Sequence, residues 1–301
     1  MLGRLIDLGL SDRRGWGAVG QLKRRLEKVS DVARQYLRSS VRAVRDAHLF
    51  ADVETYCTFV GYPRSGHSLV AWLLDAHPET LIASELDALR YVYARFHKHQ
   101  IYALILDRVE QEKLARAEPS GVRYSYHVPG QWQGRFDRIR VIGDKKGGAS
   151  SIRLRKHPQI YDRLREVIDA RLVFIHVVRN PFDNISTLAK RNGVPLSAAV
   201  ERYFTMAESV AALQQRVPET DWFETYHERV VADPATVLRN LCAFLDLDAP
   251  DDYIESCAGI VRQSPNRSRD DASWPASLVE SVTARLQRYQ FLDHYSFSDV
   301  H

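Results

Sequence analysis

The sequence contains few cysteines and no long apolar segment, and both shortages narrow the classes of protein to which it could belong. Its three cysteines are odd in number and lack the spacing of a metal site, which favours reduced thiols in a cytoplasmic protein over a disulfide framework. They are Cys57, Cys242 and Cys257. No run of about 20 apolar residues is present, and charged residues interrupt the N-terminus, so we expect neither a transmembrane helix nor a signal peptide.

A strong excess of charge is also missing. The 301 residues carry a net charge of +4, which suits anionic ligands but falls short of a nucleic-acid-binding protein, and no DNA- or RNA-binding motif accompanies it. We therefore expect no nucleic-acid partner. Helical patterns alternate with apolar runs, which predicts an α/β protein with a parallel sheet flanked by helices. We divide it into an N-terminal helical extension over residues 1–52 and a main domain over 53–301.

The N-terminal extension contains a long amphipathic pattern. Between residues 22 and 49 apolar side chains recur every three to four positions, which predicts a helix, and the polar face of that helix is basic. The apolar positions are Leu22, Leu26, Val29, Ala33, Leu37, Val41, Val44 and Ala47. We expect the helix to dock on the main domain with its outer face in solvent. Peripheral contact of the basic face with a membrane surface or an acidic partner is the alternative.

The most informative stretch is a glycine-bounded loop at residues 61–68, with the sequence Gly-Tyr-Pro-Arg-Ser-Gly-His-Ser. An apolar run precedes it and a helical pattern follows, an arrangement that directs backbone N–H groups at a phosphate. The loop matches G-x-x-x-x-G-K-[ST] except that His67 replaces the lysine, while Arg64 supplies a cation earlier in the loop. No apolar strand ends in a typical Mg²⁺-binding aspartate, because Asp144, the nearest candidate, is followed at once by two lysines. Both features argue against ordinary ATP hydrolysis.

Two further basic clusters follow predicted strands. Lys145 and Lys146 come shortly after the apolar run 139–142, and Arg179 directly follows the run 171–178, whose β-branched character is typical of a central parallel strand. Ligands of parallel α/β sheets bind beyond the carboxyl ends of the strands, so we expect these clusters and the loop to lie along one edge. Together they suit a nucleotide-like donor with more than one phosphate-like group, in a reaction that needs no metal.

Three motifs, in order, resemble those of the sulfotransferase family that uses 3′-phosphoadenosine 5′-phosphosulfate (PAPS). Residues 63–69 resemble the family's 5′-phosphosulfate loop, P-[KR]-S-G-T-[ST]. Residues 179–187 resemble its 3′-phosphate motif, an arginine followed eight residues later by serine or threonine, and residues 226–245 are similar to its Y-E-D-L…P…FL segment. The resemblance covers about residues 55 to 290, and the stretch 63–85 is closest to the protein-tyrosine sulfotransferase branch and its bacterial relatives.

The resemblance implies PAPS as co-substrate, adenosine 3′,5′-bisphosphate as product, and no metal. It also implies three catalytic groups, namely Glu85 as the base and Lys145 and Arg64 as cations that offset the charge on the leaving phosphate. The implied donor-binding residues are Arg64, Ser65, Gly66, His67, Ser68, Leu69, Arg179, Ser186, Thr187, Tyr226 and Arg267. Where the family usually has threonine this chain has His67, so we expect binding through its backbone amide.

Several assignments stay open from sequence alone. His127 is the rival base, and Lys146 could replace Lys145, since alternation along an extended segment predicts that only one of the two lysines reaches the site. Thr187 has the family's spacing, and Ser186, one residue short, is the second choice. Arg269 could close over the 3′-phosphate together with Arg267, or both could lie in a solvated loop.

The acceptor is expected to be a hydroxyl, less favourably an amine, of a small molecule, saccharide or lipid. Sulfation of protein tyrosine in a secretory compartment would need a membrane anchor, which the sequence lacks. The competing functions are a P-loop kinase or NTPase, and a non-catalytic nucleotide-binding protein. An oligomer is compatible with all three.

Overall fold

The computed structural model describes residues 18–117, 126–262 and 266–299. Residues 1–17 of the predicted extension therefore lie outside the described residues, and so do residues 118–125. The boundary between residues 52 and 53 stays a prediction. The first strand begins close to it, at Thr55.

Five parallel strands form the sheet, in the spatial order β2-β3-β1-β4-β5. They are β1 (Thr55–Gly61), β2 (Thr80–Ser84), β3 (Val141–Lys145), β4 (Arg171–Val178) and β5 (Trp222–Tyr226). The chain starts at the centre, builds one side with β2 and β3, and then crosses β1 to build the other side with β4 and β5. The carboxyl end of β1 is therefore the switch point at which ligands of open parallel sheets bind. This architecture confirms the predicted α/β class.

Twelve helices are present in the described ranges, together with two short 3₁₀ turns at Ala47–Phe50 and Glu219–Asp221. The helices are α1 (Ala18–Arg45), α2 (His67–Leu74), α3 (Ala88–Tyr93), α4 (Lys98–Ala117), α5 (Gly148–Lys156), α6 (Gln159–Val167), α7 (Pro181–Asn192), α8 (Leu196–Gln214), α9 (His227–Ala232), α10 (Pro234–Phe244), α11 (Asp251–Gly259) and α12 (Ala276–Leu286).

The sheet is buried on both faces, which explains why its central strands are continuous apolar runs rather than alternating ones. Along β1, Tyr56 and Val60 pack into one hydrophobic cluster, whereas Cys57 and Phe59 pack into another on the opposite face. This is the two-residue period of an extended strand. The three cysteines are buried and free, as predicted.

Some predicted elements differ in extent. The strand expected over 139–142 begins at Val141 and continues through Lys145, so Lys145 belongs to β3 itself. Residues 88–117 form two helices, α3 and α4, with Arg95 in the break between them at a φ of 71°. The helices α5, α9 and α11 are only six to nine residues long, and their sequences show too little periodicity to predict them.

The predicted N-terminal helix is confirmed as α1, but the face that docks is not the apolar face selected from the sequence. Val32, Ser39 and Ala43 are buried against the rest of the protein. Four of the positions expected to dock are exposed instead, namely Leu26, Leu37, Val41 and Val44. Within the described residues, no helix combines the length and the apolar character needed to cross a bilayer.

Candidate active site

The loop between β1 and α2 is shaped by two residues with left-handed backbone conformation, Arg64 at a φ of 74° and Gly66 at 99°. Gly66 is the N-cap of α2, so the amides of the first helical turn follow it directly. A Cβ at this position would lie 2.5 Å from Nδ1 of His227. Only glycine lets the loop pack this closely against His227, and the loop and the first turn of α2 together form a cradle of backbone amides at the end of β1.

The side chain of His67 turns away from this cradle and into the protein. Its Nε2 lies 2.8 Å from the carbonyl oxygen of Val60, and its Nδ1 lies 2.8 Å from Oγ of Ser65. Oγ of Ser65 donates to the carbonyl oxygen of Tyr62 at 2.9 Å, and that oxygen also lies 3.1 Å from Nδ1 of His67. Burial lowers the pKa of His67 to about 3, helped by the charge of nearby Lys145 and the ring of His176. His67 is therefore an uncharged side chain that stabilises the loop, and it does not replace a phosphate-binding lysine.

Glu85 lies immediately after β2, in a left-handed conformation with a φ of 64°. Its N–H donates to the carbonyl oxygen of Lys145 at 2.9 Å, which continues the pairing of β2 with β3 by one residue. Nζ of Lys145 lies 2.6 Å from Oε1 of Glu85, and Nζ of Lys146 lies 2.7 Å from Oε2. Burial opposes ionisation of Glu85, but the two ammonium groups outweigh it and lower the pKa of the carboxyl. The side chain is half exposed, so an acceptor can reach it.

Both lysines therefore reach the site, and the expectation that only one would do so was wrong. Lys145 is the last residue of β3, and the chain turns at Gly147, where φ is 53°. Strand alternation ends before Lys146, and the turn brings the two ammonium groups to the same carboxylate. Lys145 is buried, whereas Lys146 is partly exposed.

Asp144 positions the segment that carries Glu85. Its carboxylate accepts hydrogen bonds from the N–H of Leu86 at 3.2 Å and from the N–H of Ala88 at 2.7 Å. Asp87, between them, has a φ of 64°. Burial raises the pKa of Asp144 to about 7, against the effect of these two hydrogen bonds. The carboxylate that was weighed as a magnesium ligand therefore holds backbone amides instead.

Arg179 follows β4 and is buried beside the loop. Its Nη1 donates to the carbonyl oxygen of Arg64 at 3.2 Å, and its Nη2 contacts the carbonyl oxygen of Asn266. Among the described residues, its Nε has no hydrogen-bond partner. Burial lowers the pKa of the guanidinium, only partly offset by Asp183 and Glu228. A buried cation whose Nε has no partner in the described chain suits an anionic ligand.

The two candidate hydroxyls on α7 face different surroundings. Thr187 is half-buried, donates to the carbonyl oxygen of Asp183 at 2.8 Å, and lies 3.0 Å from Oγ of Ser268. Ser186 is buried and accepts from Nε1 of Trp274 at 2.9 Å. Thr187 thus faces the segment that also contacts Arg179, whereas Ser186 faces the core. This placement favours Thr187 as the ligand-facing hydroxyl.

Arg269 anchors the segment 266–270 over the start of α7. Its backbone N–H donates to Oδ1 of Asp183 at 2.9 Å, and its Nη1 lies 2.8 Å from Oδ2 of the same carboxylate. Both side chains are buried, so Arg269 does not lie in a solvated loop, and its closure over the 3′-phosphate stays a prediction. Arg267 is half-exposed, with its Nε 3.1 Å from Oδ2 of Asp270.

Tyr226 ends β5, and its hydroxyl donates to Oε1 of Glu224 at 3.1 Å. Burial, together with the charge of Glu224, raises the pKa of Tyr226 to about 12. The next residue, His227, is the one that touches the loop, through Gly66. Its Nδ1 is buried without a partner in the described part of the chain, and burial, assisted by the charge of Arg179, lowers its pKa to about 4. Sequence reasoning missed His227, although it lies inside the motif that contains Tyr226.

The rival base lies elsewhere. His127 is exposed, and its Nδ1 is 3.2 Å from Oε1 of Gln133. The amide nitrogen of Gln133 donates to the carbonyl oxygen of Trp72, in the C-terminal half of α2. These contacts place His127 by the end of α2 that is remote from the loop, so the structure does not bring it together with Lys145. Across the described ranges, no three or more His, Cys, Asp or Glu side chains form a group that could hold a metal ion.

Comparison with known proteins agrees with the geometry. The profile of the sulfotransferase family matches residues 58–251. The fold is similar to sulfotransferase STF1 from Mycobacterium tuberculosis, with a TM-score of 0.50 and 13% identity over 94% of this chain and 90% of that one. A sulfotransferase from Alicyclobacillus acidocaldarius is 18% identical over 80% of this chain and 96% of its own, with a TM-score of 0.45. No curated protein sequence matches the chain.

Proposed function

Because this chain belongs to the sulfotransferase family, we propose that it transfers a sulfuryl group from PAPS to an acceptor hydroxyl, with Glu85 as the base. The observation that carries this proposal is the contact of 2.6 Å between Nζ of Lys145 and Oε1 of Glu85. It brings a buried cation and a half-exposed carboxylate together at the carboxyl end of β3, directly beside β1 and its loop. Family membership disfavours the kinase and NTPase alternatives that the loop alone left open.

The residues around the loop fit the two phosphate groups of the donor. Arg64 and the amides of residues 65–69 would hold the 5′-phosphosulfate, since the cradle at Gly66 admits no side chain. Arg179 and Thr187 would hold the 3′-phosphate, and the Nε of Arg179 that lacks a partner in the described residues supports this assignment. Buried N–H groups can bind a phosphate favourably, because the charge-assisted hydrogen bonds that they donate to it replace the hydrogen bonds that the phosphate made with water.

Tyr226 near the adenine and Arg267 over the 3′-phosphate stay predictions. Their side chains pair with Glu224 and Asp270 in this structure, so either role would require these contacts to be exchanged. His227 is better placed than Tyr226 to sense a ligand in the loop, because it packs against Gly66.

In the proposed reaction the acceptor oxygen forms a bond to sulfur as the bond between sulfur and the oxygen of the leaving phosphate breaks. The acceptor proton passes to the carboxylate of Glu85, which its lowered pKa keeps ionised at neutral pH. Lys145 and Arg64 offset the negative charge that develops on the leaving phosphate. Because Lys145 also pairs with Glu85, the same ammonium group would link the base to the transferred group.

The acceptor is proposed to be a small molecule, saccharide or lipid in the cytoplasm. This proposal rests on the half-exposed position of Glu85, which an acceptor can reach. Transfer of labelled sulfate into an extract of the source organism, read by mass spectrometry, would identify the acceptor class.

Donor binding tests the proposed function directly. We expect adenosine 3′,5′-bisphosphate to raise the Tm of the protein, and ATP with Mg²⁺ to leave it unchanged. Stabilisation by ATP with Mg²⁺ alone would restore the kinase or NTPase alternative. Tight binding of adenosine 3′,5′-bisphosphate without sulfate transfer to any member of a broad acceptor library would identify a nucleotide-binding protein instead.

A further inference from the structure

The helix α1 is docked firmly, and its rotation about its own axis is fixed. The ring of Tyr36 packs edge-on against Phe96 at 5.1 Å between ring centroids. On the same side, Nε2 of Gln100 donates to Oγ of Ser40 at 2.8 Å, and Arg42 forms ion pairs with Asp107 and Glu110. Rolling the helix to bury a different face would break all of these contacts.

The opposite face of α1 is an apolar stripe that no described residue covers. Its four large members are Leu26, Leu37, Val41 and Val44, which are 60%, 70%, 73% and 81% exposed. In the rest of the described chain the only other exposed large hydrophobic side chain is Val194, which is less exposed, at 39%. The stripe follows helical spacing and is bounded on one side by Arg34, Arg38 and Arg45.

The charge of the chain is concentrated in this helix. The sequence of α1 contains eight basic and two acidic residues, a net charge of +6, whereas the whole chain has +4 and the remainder therefore −2. Two copies of α1 facing each other would repel. Within the basic flank Arg38 and Arg45 pair with Asp107 and Asp46, but they remain 56% and 66% exposed and a neutral apolar partner would not use their charge. An anionic lipid surface complements both features, because it accepts apolar side chains among the acyl chains and attracts basic ones to its headgroups.

We propose that α1 binds the surface of an anionic lipid bilayer, with the stripe of Leu26, Leu37, Val41 and Val44 at the acyl boundary and the flanking arginines at the headgroups. The helix would lie along the surface without crossing it, since its other face stays docked on the protein. Asp31 of α1 pairs with Arg90 of α3 at 2.7 Å, so the proposed lipid-binding helix also contacts the element that follows Glu85. This inference does not rest on the proposed sulfotransferase reaction.

Vesicle binding by the full chain tests the proposal. We expect binding to vesicles of phosphatidylcholine mixed with phosphatidylglycerol, and much weaker binding to phosphatidylcholine alone. The triple variant Leu37→Ser/Val41→Ser/Val44→Ser should bind the anionic vesicles at least about tenfold more weakly, because it removes most of the buried apolar area. Arg34→Glu should weaken binding to the anionic vesicles severalfold and make this binding less dependent on salt. The matched control is Val194→Ser, which alters an exposed valine on a different surface and should bind as the wild type does.

The replaced side chains are exposed, so the variants should keep the Tm of the wild type, which confirms that they fold. The proposal is overturned if the wild type does not bind anionic vesicles, or if the triple variant binds them as tightly as the wild type. A wild-type dimer that the triple variant converts to a monomer, with vesicle binding unchanged, would assign the stripe to a second copy of the chain and also overturn it.

Discussion

The loop between β1 and α2 and the cluster that follows β2 and β3 lie on the same edge of the sheet, yet they are stabilised in opposite ways. On its inner side the loop is held by neutral contacts, since the buried ring of His67 contacts the carbonyl oxygen of Val60 and the hydroxyl of Ser65. Arg179 adds one hydrogen bond to the carbonyl oxygen of Arg64. The cluster consists of charges, with the carboxylate of Glu85 between the ammonium groups of Lys145 and Lys146.

This difference separates binding from reaction. Neutral buried hydrogen bonds fix one geometry, so the loop can present its amides to a phosphate without rearranging. Glu85 and Lys146 are partly exposed, and such a pair exchanges partners at little cost in free energy, whereas Lys145 is buried. An acceptor can therefore reach Glu85 while the loop stays as it is. Substitutions in the two regions should then affect different measurements.

The largest effect is expected in the charged cluster. Glu85→Gln keeps the size of the side chain but removes its ability to take a proton, so kcat should fall about 10²–10⁴-fold. The Kd for adenosine 3′,5′-bisphosphate should change less than about threefold, because the loop is intact. Since the pKa of Glu85 is lowered, the activity of the wild type should be lost at a lower pH than the titration of an ordinary glutamate would predict.

The matched control for this variant is Glu54→Gln. Glu54 is also a half-exposed carboxylate in an ion pair, 2.6 Å from Nη2 of Arg140, but it precedes β1 at the opposite edge of the sheet. It should leave kcat unchanged. If Glu85→Gln kept full activity, or lost donor binding and turnover in parallel, the separation of binding from reaction would be wrong.

The next effect concerns the buried cation beside the loop. Arg179→Ala should weaken binding of adenosine 3′,5′-bisphosphate about 10–100-fold, because a charge-assisted pair of hydrogen bonds to the phosphate is lost. Isothermal titration calorimetry measures this directly. Arg171→Ala, at the amino end of the same strand, removes a partly exposed arginine paired with Asp221 and should not change the affinity. Equal losses in both variants would indicate damage to β4 rather than to a phosphate site.

A smaller effect distinguishes the two hydroxyls of α7. Thr187→Val should weaken donor binding about threefold to tenfold, the value of one lost hydrogen bond. Ser186→Ala should leave the affinity unchanged but lower the free energy of unfolding by about 1–3 kcal/mol, since it leaves Nε1 of Trp274 buried without its acceptor. Urea unfolding and calorimetry on both variants measure the two quantities. The reverse pattern would make Ser186 the ligand.

Local sequence was sufficient for the parts of the site that depend on strand ends. The loop and Arg179 follow apolar runs, and the rule that parallel strands end at one edge predicts their proximity. Glu85 was assigned only through the family resemblance. Local sequence could not place Lys146 on Glu85, because that contact depends on the turn at Gly147. The pairing of Arg269 with Asp183 joins residues 86 positions apart and carries no local signal.

The face of α1 that packs against the protein could not be predicted from the local sequence either. The stronger apolar period of the helix lies on its outer face, whereas the docked face mixes Val32 with Ser39 and Ala43. Small side chains allow close approach to α4, and hydrogen bonds from Gln100 complete the contact. Hydrophobic periodicity identifies the more apolar face of a helix. In α1 that face is not the packed one, because small side chains and hydrogen bonds stabilise the packing of the other face.

The smallest effect on binding is expected in the neutral region, at His67. His67→Thr introduces the residue usual in the resembling motif, and it should change the affinity for adenosine 3′,5′-bisphosphate less than about fivefold, because the backbone amide remains. It should lower the free energy of unfolding by about 2–4 kcal/mol, since a buried ring and its hydrogen bond to Val60 are lost. His48→Thr, at an exposed histidine, is the control and should have no such effect.

The pH dependence of the free energy of unfolding tests most directly whether His67 stabilises the loop as a neutral side chain. The folded protein keeps His67 neutral down to about pH 3, whereas the unfolded chain protonates this side chain near pH 6.5, so acid favours the unfolded chain between these two values. In the wild type this contribution lowers the free energy of unfolding by about 1.4 kcal/mol for each pH unit below about 6.5. His67→Thr should remove that slope, so the stabilities of variant and wild type should converge as the pH falls. If the variant lost donor binding but kept the wild-type stability at every pH, His67 would be a ligand-binding side chain, and the loop would no longer differ in kind from the charged cluster beside it.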